Sequence, residues 1–395
     1  MNLILMNDIV SNAVAGVLFI SEEKLIAADH ANQIYLMANW MIRQWLGGQT
    51  SIDDASNMCL QEDLIAFLAM NMVKRMTDDD FLQTAQLAKV YLTESIFNPG
   101  DTLTLNEHPI ESEIYEKCGL KGVSMFDSLT SMIGEKAMAS KVKSLLKTKG
   151  GSYTPDQLFQ LFNDTVDGDI LLSQVLDYWR SHGGLPHMNV NRLGFVIELD
   201  QNGGNFTVKN GKNTWERMPA WPLPYHFDAF QLPSKLMLSQ SVKLSPIRDG
   251  QVLANLGFTH YYRVNYDLDT WRDVMKSLTE NATLYTVKER FQLLSDFCYF
   301  YSIKTLPEPA ATKLKDQFLK LIDLRPADFP LCDAALFMCH PKYSPSKKLD
   351  NKAVQKLRKR IFDSLTNSSD GECRSGRSHE AFNDLCVQLF GSSCL

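Results

Sequence analysis

Ala38-Asn39-Trp40-Met41-Ile42-Arg43-Gln44-Trp45-Leu46-Gly47-Gly48 is followed, ten residues later, by Cys59-Leu60-Gln61-Glu62. Taken by residue type, it is an amphipathic helix closed by a glycine pair and then the start of a second helix. Positions 39 and 43 are four apart, about 40° from each other around a helix, and so share a face. Asn39 brings a neutral amide to that face and Arg43 a permanent cation. Trp40 carries no group that could take a proton from water. Residues 44 to 61 put eighteen positions between Arg43 and Glu62. Asp54 to Met76 is the second helix, with Leu60, Leu64, Phe67 and Leu68 as its apolar stripe. Met70, Met72 and Met76 extend that stripe as flexible core filler. Taken alone, both segments are ordinary core helices.

The flank and the spacing resemble the zinc signature of the gluzincin aminopeptidases, the aminopeptidase N and puromycin-sensitive aminopeptidase type. That signature runs H-E-x-x-H, then Q-W-x-G-N, with eighteen residues between the second His and a Glu. Gln44-Trp45-Leu46-Gly47 keeps the flank, and Glu62 falls where the third zinc ligand belongs. The resemblance puts Asn39 at the first His, Trp40 at the general-base Glu and Arg43 at the second His. An amide oxygen suits zinc poorly, a guanidinium repels a cation, and an indole cannot activate water. A vestigial ligand, Glu62, is what remains. Because positions 43 and 62 bind one ion in the family, their side chains are expected to meet, Arg43 pairing with Glu62 where zinc would sit.

Further matches follow the same family pattern. Met1–Met6 and Gly16–Ile20 are expected as buried strands. If Gly16 takes the glycine of the family's G-A-M-E-N-W-G-L segment, Ala13 stands at the Glu that grips a substrate's amino group. A plain edge strand and turn is the other reading of this segment. Cys118-Gly119-Leu120-Lys121-Gly122-Val123-Ser124 resembles the family's Y-x-K-G-A-S, placing Gly119 at the Tyr that stabilises the oxyanion. Tyr115 lies one turn upstream and either reaches that space or is an ordinary tyrosine. Thr154 and Pro155 form a helix start. Trp179 and Gly183-Gly184-Leu185-Pro186 resemble the close of the family's catalytic domain. Residues 195–199 and 206–208 then alternate as strands, with turn chemistry at 201–204 and 210–212. Tyr261-Tyr262-Arg263-Val264-Asn265-Tyr266-Asp267 with Trp271 resembles the family's Y-R-V-N-Y-D…W junction. Glu289 to Asp296 resembles its R-A-x-L-x-D-D helix.

Composition bounds the rest. The 395 residues are 45% hydrophobic with a formal charge of −6, which suits a globular chain and excludes a general nucleic-acid binder. The eight cysteines form no C-x-x-C pair, so neither a zinc ribbon nor a small disulfide scaffold is implied. Cys332 and Cys339 match a disulfide of secreted family members, or are two core cysteines. The apolar start lacks a basic leader, and no stretch has the ~18 apolar residues of a membrane helix. Thr77-Asp78-Asp79-Asp80 is expected to start a helix. Lys342–Arg360 is a basic helix with a solvated face, and the Ser- and Gly-rich tail from Thr366 is expected to be disordered.

The expectation is an α+β multidomain chain. A mostly helical zincin-like remnant takes residues 1–186, a small antiparallel β-sandwich 187–269, a shortened helical domain 270–365 and a tail 366–395. The function implied is an inactive aminopeptidase homologue, without zinc or other cofactor, that binds peptide or protein. Residual metallo-aminopeptidase activity is the alternative. A family-type N-terminal domain would precede Met1, and its loss would leave an apolar face inviting self-association or a partner. The compartment is the cytoplasm if Met1 is the true start, and a secreted or membrane-attached setting if a segment precedes it.

Overall fold

The computed structural model describes residues 2–6, 12–14, 16–27, 30–77, 121–147, 151–163, 165–166, 170–181, 185–201, 207–210, 214–217, 223–225, 235–237, 241–244 and 253–324. Gly119, Tyr115, Asp78–Asp80, Cys332, Cys339, the basic stretch 342–360 and the tail from Thr366 lie outside the described residues. Helices and small sheets make an α+β chain, and it divides into two compact units with the break at Gly183–Gly184.

The first unit begins with a three-stranded sheet ordered β1 (Asn2–Met6), β3 (Val17–Ser21), β2 (Asn12–Val14). β1 runs parallel to β3, from Asn2 beside Val17 to Met6 beside Ser21, and β2 runs antiparallel, setting Ala13 opposite Leu18. Leu18 and Ile20 are buried, as expected. Ile4 and Leu5 are not: they stay 41% and 45% exposed. Among the described strands β1 is an end strand, and a period-2 strand exposed at consecutive positions is open on both faces.

After α1 (Glu22–Ala27), α2 (His30–Arg43) lies against α3 (Met58–Thr77), and α3 against α4 (Lys121–Ile133). A helix flanked on two sides needs more than one apolar stripe. α3 accordingly buries Leu60, Leu64, Ile65, Phe67, Ala69 and Val73, with the Phe67 and Phe126 rings 5.8 Å apart. It also buries Gln61, Glu62 and Asp63, and each of these polar groups finds a partner, as burial demands. Asp63 Oδ2 accepts the Gly122 N–H at 2.9 Å. Only glycine fits at 122, because a Cβ there would lie 2.2 Å from that same oxygen. α5 (Glu135–Leu145) follows. β4 (Ser51–Ile52) pairs parallel with β5 (Ser152–Tyr153). Thr154 and Gln157 then close a reciprocal capping box on α6 (Pro155–Gln160), with Pro155 at its first position. A short ladder, β6 (Thr165–Val166) with β7 (Ile170–Leu171), leads to α7 (Leu172–Ser181), where Trp179 is buried.

The second unit is built on a four-stranded sheet. β8 (His187–Leu193) and β9 (Val196–Asp200) form a hairpin turning at Gly194-Phe195, where Gly194 has φ +63°. β10 (Thr207–Asn210) pairs with β11 (Thr214–Arg217), and β12 (Leu223–Tyr225) with β13 (Lys235–Met237). β14 (Ser241–Leu244) flanks β9, and β15 (Arg263–Tyr266) flanks β8. β15 runs parallel to β8, Arg263 beside His187, so this sheet is mixed and the antiparallel expectation fails here. The 69 residues between the two strands leave ample chain for a crossover, which parallel pairing requires.

Asp267 caps α8 (Leu268–Glu280) by accepting the N–H groups of Asp269 and Thr270. α9 (Val287–Ser302) begins at a Thr286–Glu289 capping box and α10 (Ala310–Leu324) follows. Sheet and helices share one core: the fully buried Trp271 ring meets Tyr266 edge-on at 5.0 Å and Phe297 at 5.2 Å. Arg263, at the start of β15, donates to Asp296 Oδ1 at 2.8 Å and to Ser295 at 3.0 Å. Asp296 Oδ2 takes the Val264 N–H. The junction motif and the R…D helix are thus two halves of one buried ion pair.

Candidate functional site

α2 presents Tyr35, Asn39 and Arg43 at four-residue intervals, one above the other on a single helical face. Arg43 reaches across to α3. Its Nη1 donates to Glu62 Oε1 at 2.7 Å, and its Nη2 donates to Glu62 Oε2. The remaining edge is used as well, because Nε donates to Asn39 Oδ1 at 2.9 Å. The guanidinium carbon lies 5.0 Å from the centre of the Trp40 ring, a cation–π distance. The two charged side chains are only 15% and 9% exposed. Four of the residues singled out in the sequence, Asn39, Trp40, Arg43 and Glu62, therefore converge on one small cluster, with the expected pair at its centre.

Two residues complete the cluster that the sequence reading did not name. The Tyr35 side chain is hydrogen-bonded to that of Asn39, and its pKa is pushed up to about 12, by burial first, with the Glu62 charge adding to it. Its i−4 spacing from Asn39 was visible in the sequence. Tyr153 is buried on the far side and donates to Gln61 Oε1 at 3.5 Å. Burial, then the charge on Glu62, raises its pKa too. Nothing local marks Tyr153, which arrives through the β4–β5 pairing. Both phenols are neutral at physiological pH.

The flank residue Gln44 ties this cluster to the sheet. Its Oε1 accepts the Gly16 N–H at 2.7 Å and its Nε2 donates to the Val17 carbonyl at 3.2 Å. Gly16 has φ +82°, a conformation that favours glycine. Gln44 thereby holds the turn between β2, which carries Ala13, and β3 against the end of α2. The glycine pair that follows allows a tight exit: a Cβ on Gly48 would stand 2.6 Å from the Gln44 carbonyl oxygen.

Chemically the cluster is closed. Both Glu62 oxygens and the Asn39 amide oxygen are spoken for by Arg43, and the cation beside them is one that does not lose its proton. This donor set suits zinc poorly, since the ion favours nitrogen and sulfur ligands and is repelled by a guanidinium. Among the described residues no group of three or more His, Cys, Asp or Glu is arranged to hold a metal. No described helix is long and apolar enough to cross a membrane.

No family model matches the chain. Relatives are found across distant organisms. Human (Homo sapiens) aminopeptidase Q is 23% identical over 287 residues, 66% of this chain and 28% of its own length. An aminopeptidase-like protein of Caenorhabditis elegans is 20% identical over 444 aligned positions, 94% of this chain and 38% of its own length. Tricorn protease-interacting factor F2 of Thermoplasma acidophilum is 21% identical over 304 residues, 72% of this chain and 36% of its own length. The chain spans about a third of the length of these relatives. With the Gln44 flank and the Arg43-to-Glu62 spacing, these matches make the chain similar, at low identity, to the gluzincin aminopeptidases.

Proposed function

We propose that this chain is a catalytically inactive homologue of the zinc aminopeptidases that acts by binding peptide or protein. One observation carries the reading: the two-pronged bond from Arg43 to Glu62 fills the spot where the family's ligands converge. In this account Asn39, Trp40 and Arg43 stand at the H-E-x-x-H positions, and no zinc binds. Ala13 stands at the amine anchor, where a methyl group cannot pair with an ammonium. Gly119 stands at the oxyanion donor. Each loss removes a separate requirement of metallopeptidase chemistry: ligand, base, substrate anchor and transition-state donor.

The binding role rests on what is retained. Among the described strands β2 is an end strand, and an extended peptide can add to such an edge through main-chain hydrogen bonds without any reactive group. The exposed Ile4 and Leu5 on β1, at the sheet's other edge, support the companion idea of self-association or a protein partner.

An aminoacyl reporter assay with and without added zinc tests the reading. The expected result is no hydrolysis above buffer in either condition. Turnover that a chelator abolishes would refute it.

A further inference from the structure

We propose that Asn281 carries an N-linked glycan, added as the chain passes through an oxidising, secretory compartment. Asn281-Ala282-Thr283 has the acceptor form N-x-[ST], with no proline at the middle position. Such triplets are short and frequent, so the geometry has to decide.

The triplet sits in the link between α8 and α9, with Asn281 exposed and Ala282 fully buried as its anchor. The Ala282 carbonyl is held by Arg290 Nη1 at 3.2 Å, which fixes the turn. The Asn281 side-chain oxygen accepts both the Thr283 N–H, at 3.1 Å, and the Thr283 hydroxyl, at 2.6 Å. That pairing fixes the orientation of the exposed side-chain amide. Nδ2 donates to nothing among the described residues. Beside it Leu284 leaves 65% of its surface exposed, an apolar patch that an attached glycan would cover.

A second observation points the same way. Cys59 and Cys298 are each engaged in a disulfide, and structural disulfides belong to oxidising compartments such as the secretory lumen. That is also where acceptor triplets are modified. A further triplet, Asn163-Asp164-Thr165, has its Asn exposed as well.

In the transfer, Nδ2 of Asn281 attacks the anomeric carbon of a lipid-pyrophosphate-linked oligosaccharide. The N–C bond forms as the bond from that carbon to the pyrophosphate oxygen breaks. The lipid pyrophosphate departs with the electron pair, and Nδ2 gives one proton to a base of the transferring enzyme. Nothing is oxidised or reduced.

The test uses the full chain isolated from its own organism, alkylated before lysis. Peptide-N-glycosidase is applied in heavy-oxygen water and the peptides are read by mass spectrometry. The expected result is a labelled aspartate at position 281, with Cys59 and Cys298 protected from alkylation. Returned to the same organism, Thr283→Ala and Asn281→Gln should each lose the label while keeping the wild-type circular dichroism spectrum. An unlabelled Asn281 in the native protein would overturn the proposal, as would recovery of both cysteines as free thiols.

Discussion

Arg43 and Glu62, nineteen positions apart in sequence, are joined by two parallel hydrogen bonds between α2 and α3. A bidentate guanidinium–carboxylate pair is both strong and directional. Here it is also held from behind, by Asn39 on the Nε edge and by Trp40 beneath the plane. A carboxylate buried on α3 needs a compensating charge, and Arg43 supplies one from the adjacent helix without a metal.

The pair should therefore matter to stability. Arg43→Ala and Glu62→Ala each leave one buried charge alone, a loss on the order of 3–5 kcal/mol. Arg43→Met with Glu62→Leu, which removes both charges and keeps the volume, should recover most of it. Chemical denaturation of the four proteins checks this. Additive losses in the double variant would show that the two side chains do not act as a unit.

Gly122 is the second point at which α3 is locked. A methyl group there would collide with Asp63 and break the 2.9 Å bond from its N–H. Gly122→Ala should cost about 2–5 kcal/mol, combining overpacking with a lost buried hydrogen bond. In an Asp63→Ala background the same change should cost far less, because the clashing carboxylate is gone. Equal costs in both backgrounds, measured by urea unfolding, would contradict the contact.

The second unit carries an acid-sensitive residue. His187 is packed edge-on against Tyr299 and Phe300, and burial, with the Arg263 charge adding to it, pushes its pKa down from 6.5 to about 3. Between those values the unfolded chain binds more protons at this residue than the folded one. Its contribution is thus complete above pH 6.5 and lost as the pH falls toward 3. Asp296 works in the opposite sense, because burial outweighs Arg263 and raises its pKa to about 6. Its contribution is present below 3.8 and lost as the pH rises through 6. His187→Phe removes only the first effect. From pH 6.5 downward, wild type should lose stability relative to that variant by up to about 1.4 kcal/mol per pH unit. A difference that does not change with pH, in urea titrations, would contradict this.

Much of the site was legible in the sequence because it depends on helical spacing. Asn39, Arg43 and Glu62 were placed by counting residues, and the helices then brought them together. The Thr154–Pro155 helix start was equally local. Partners set by long-range pairing were not legible. Alternation marks β15 as a strand, yet nothing in Arg263-Val264-Asn265-Tyr266 says that it lies parallel to β8. An apolar run such as Asn2–Met6 likewise does not say whether it is central or an end strand, which is why the exposure of Ile4 and Leu5 was missed. Tyr153 joins the Glu62 surroundings from ninety residues away. The disulfides at Cys59 and Cys298 were hidden by the scatter of the cysteines.

Rebuilding the metal ligands alone should not produce an enzyme. Asn39→His, Trp40→Glu and Arg43→His together would supply two imidazoles and a base beside Glu62. The amine anchor at Ala13 and the oxyanion donor at Gly119 would still be absent in this account. Loss of one oxyanion donor alone costs roughly 10²–10³ in rate. The triple variant should bind zinc in an isothermal titration and hydrolyse aminoacyl substrates barely or not at all. Vigorous turnover would mean that the roles of Ala13 and Gly119 are misassigned.

Metal content reports on the Arg43–Glu62 pair itself. The protein, purified without chelator and dialysed against micromolar zinc, is measured by inductively coupled plasma mass spectrometry beside its Glu62→Ala variant. No stoichiometric zinc is expected in either, because Arg43 occupies the carboxylate that zinc would need. One zinc per chain in the wild type, lost in Glu62→Ala, would contradict it.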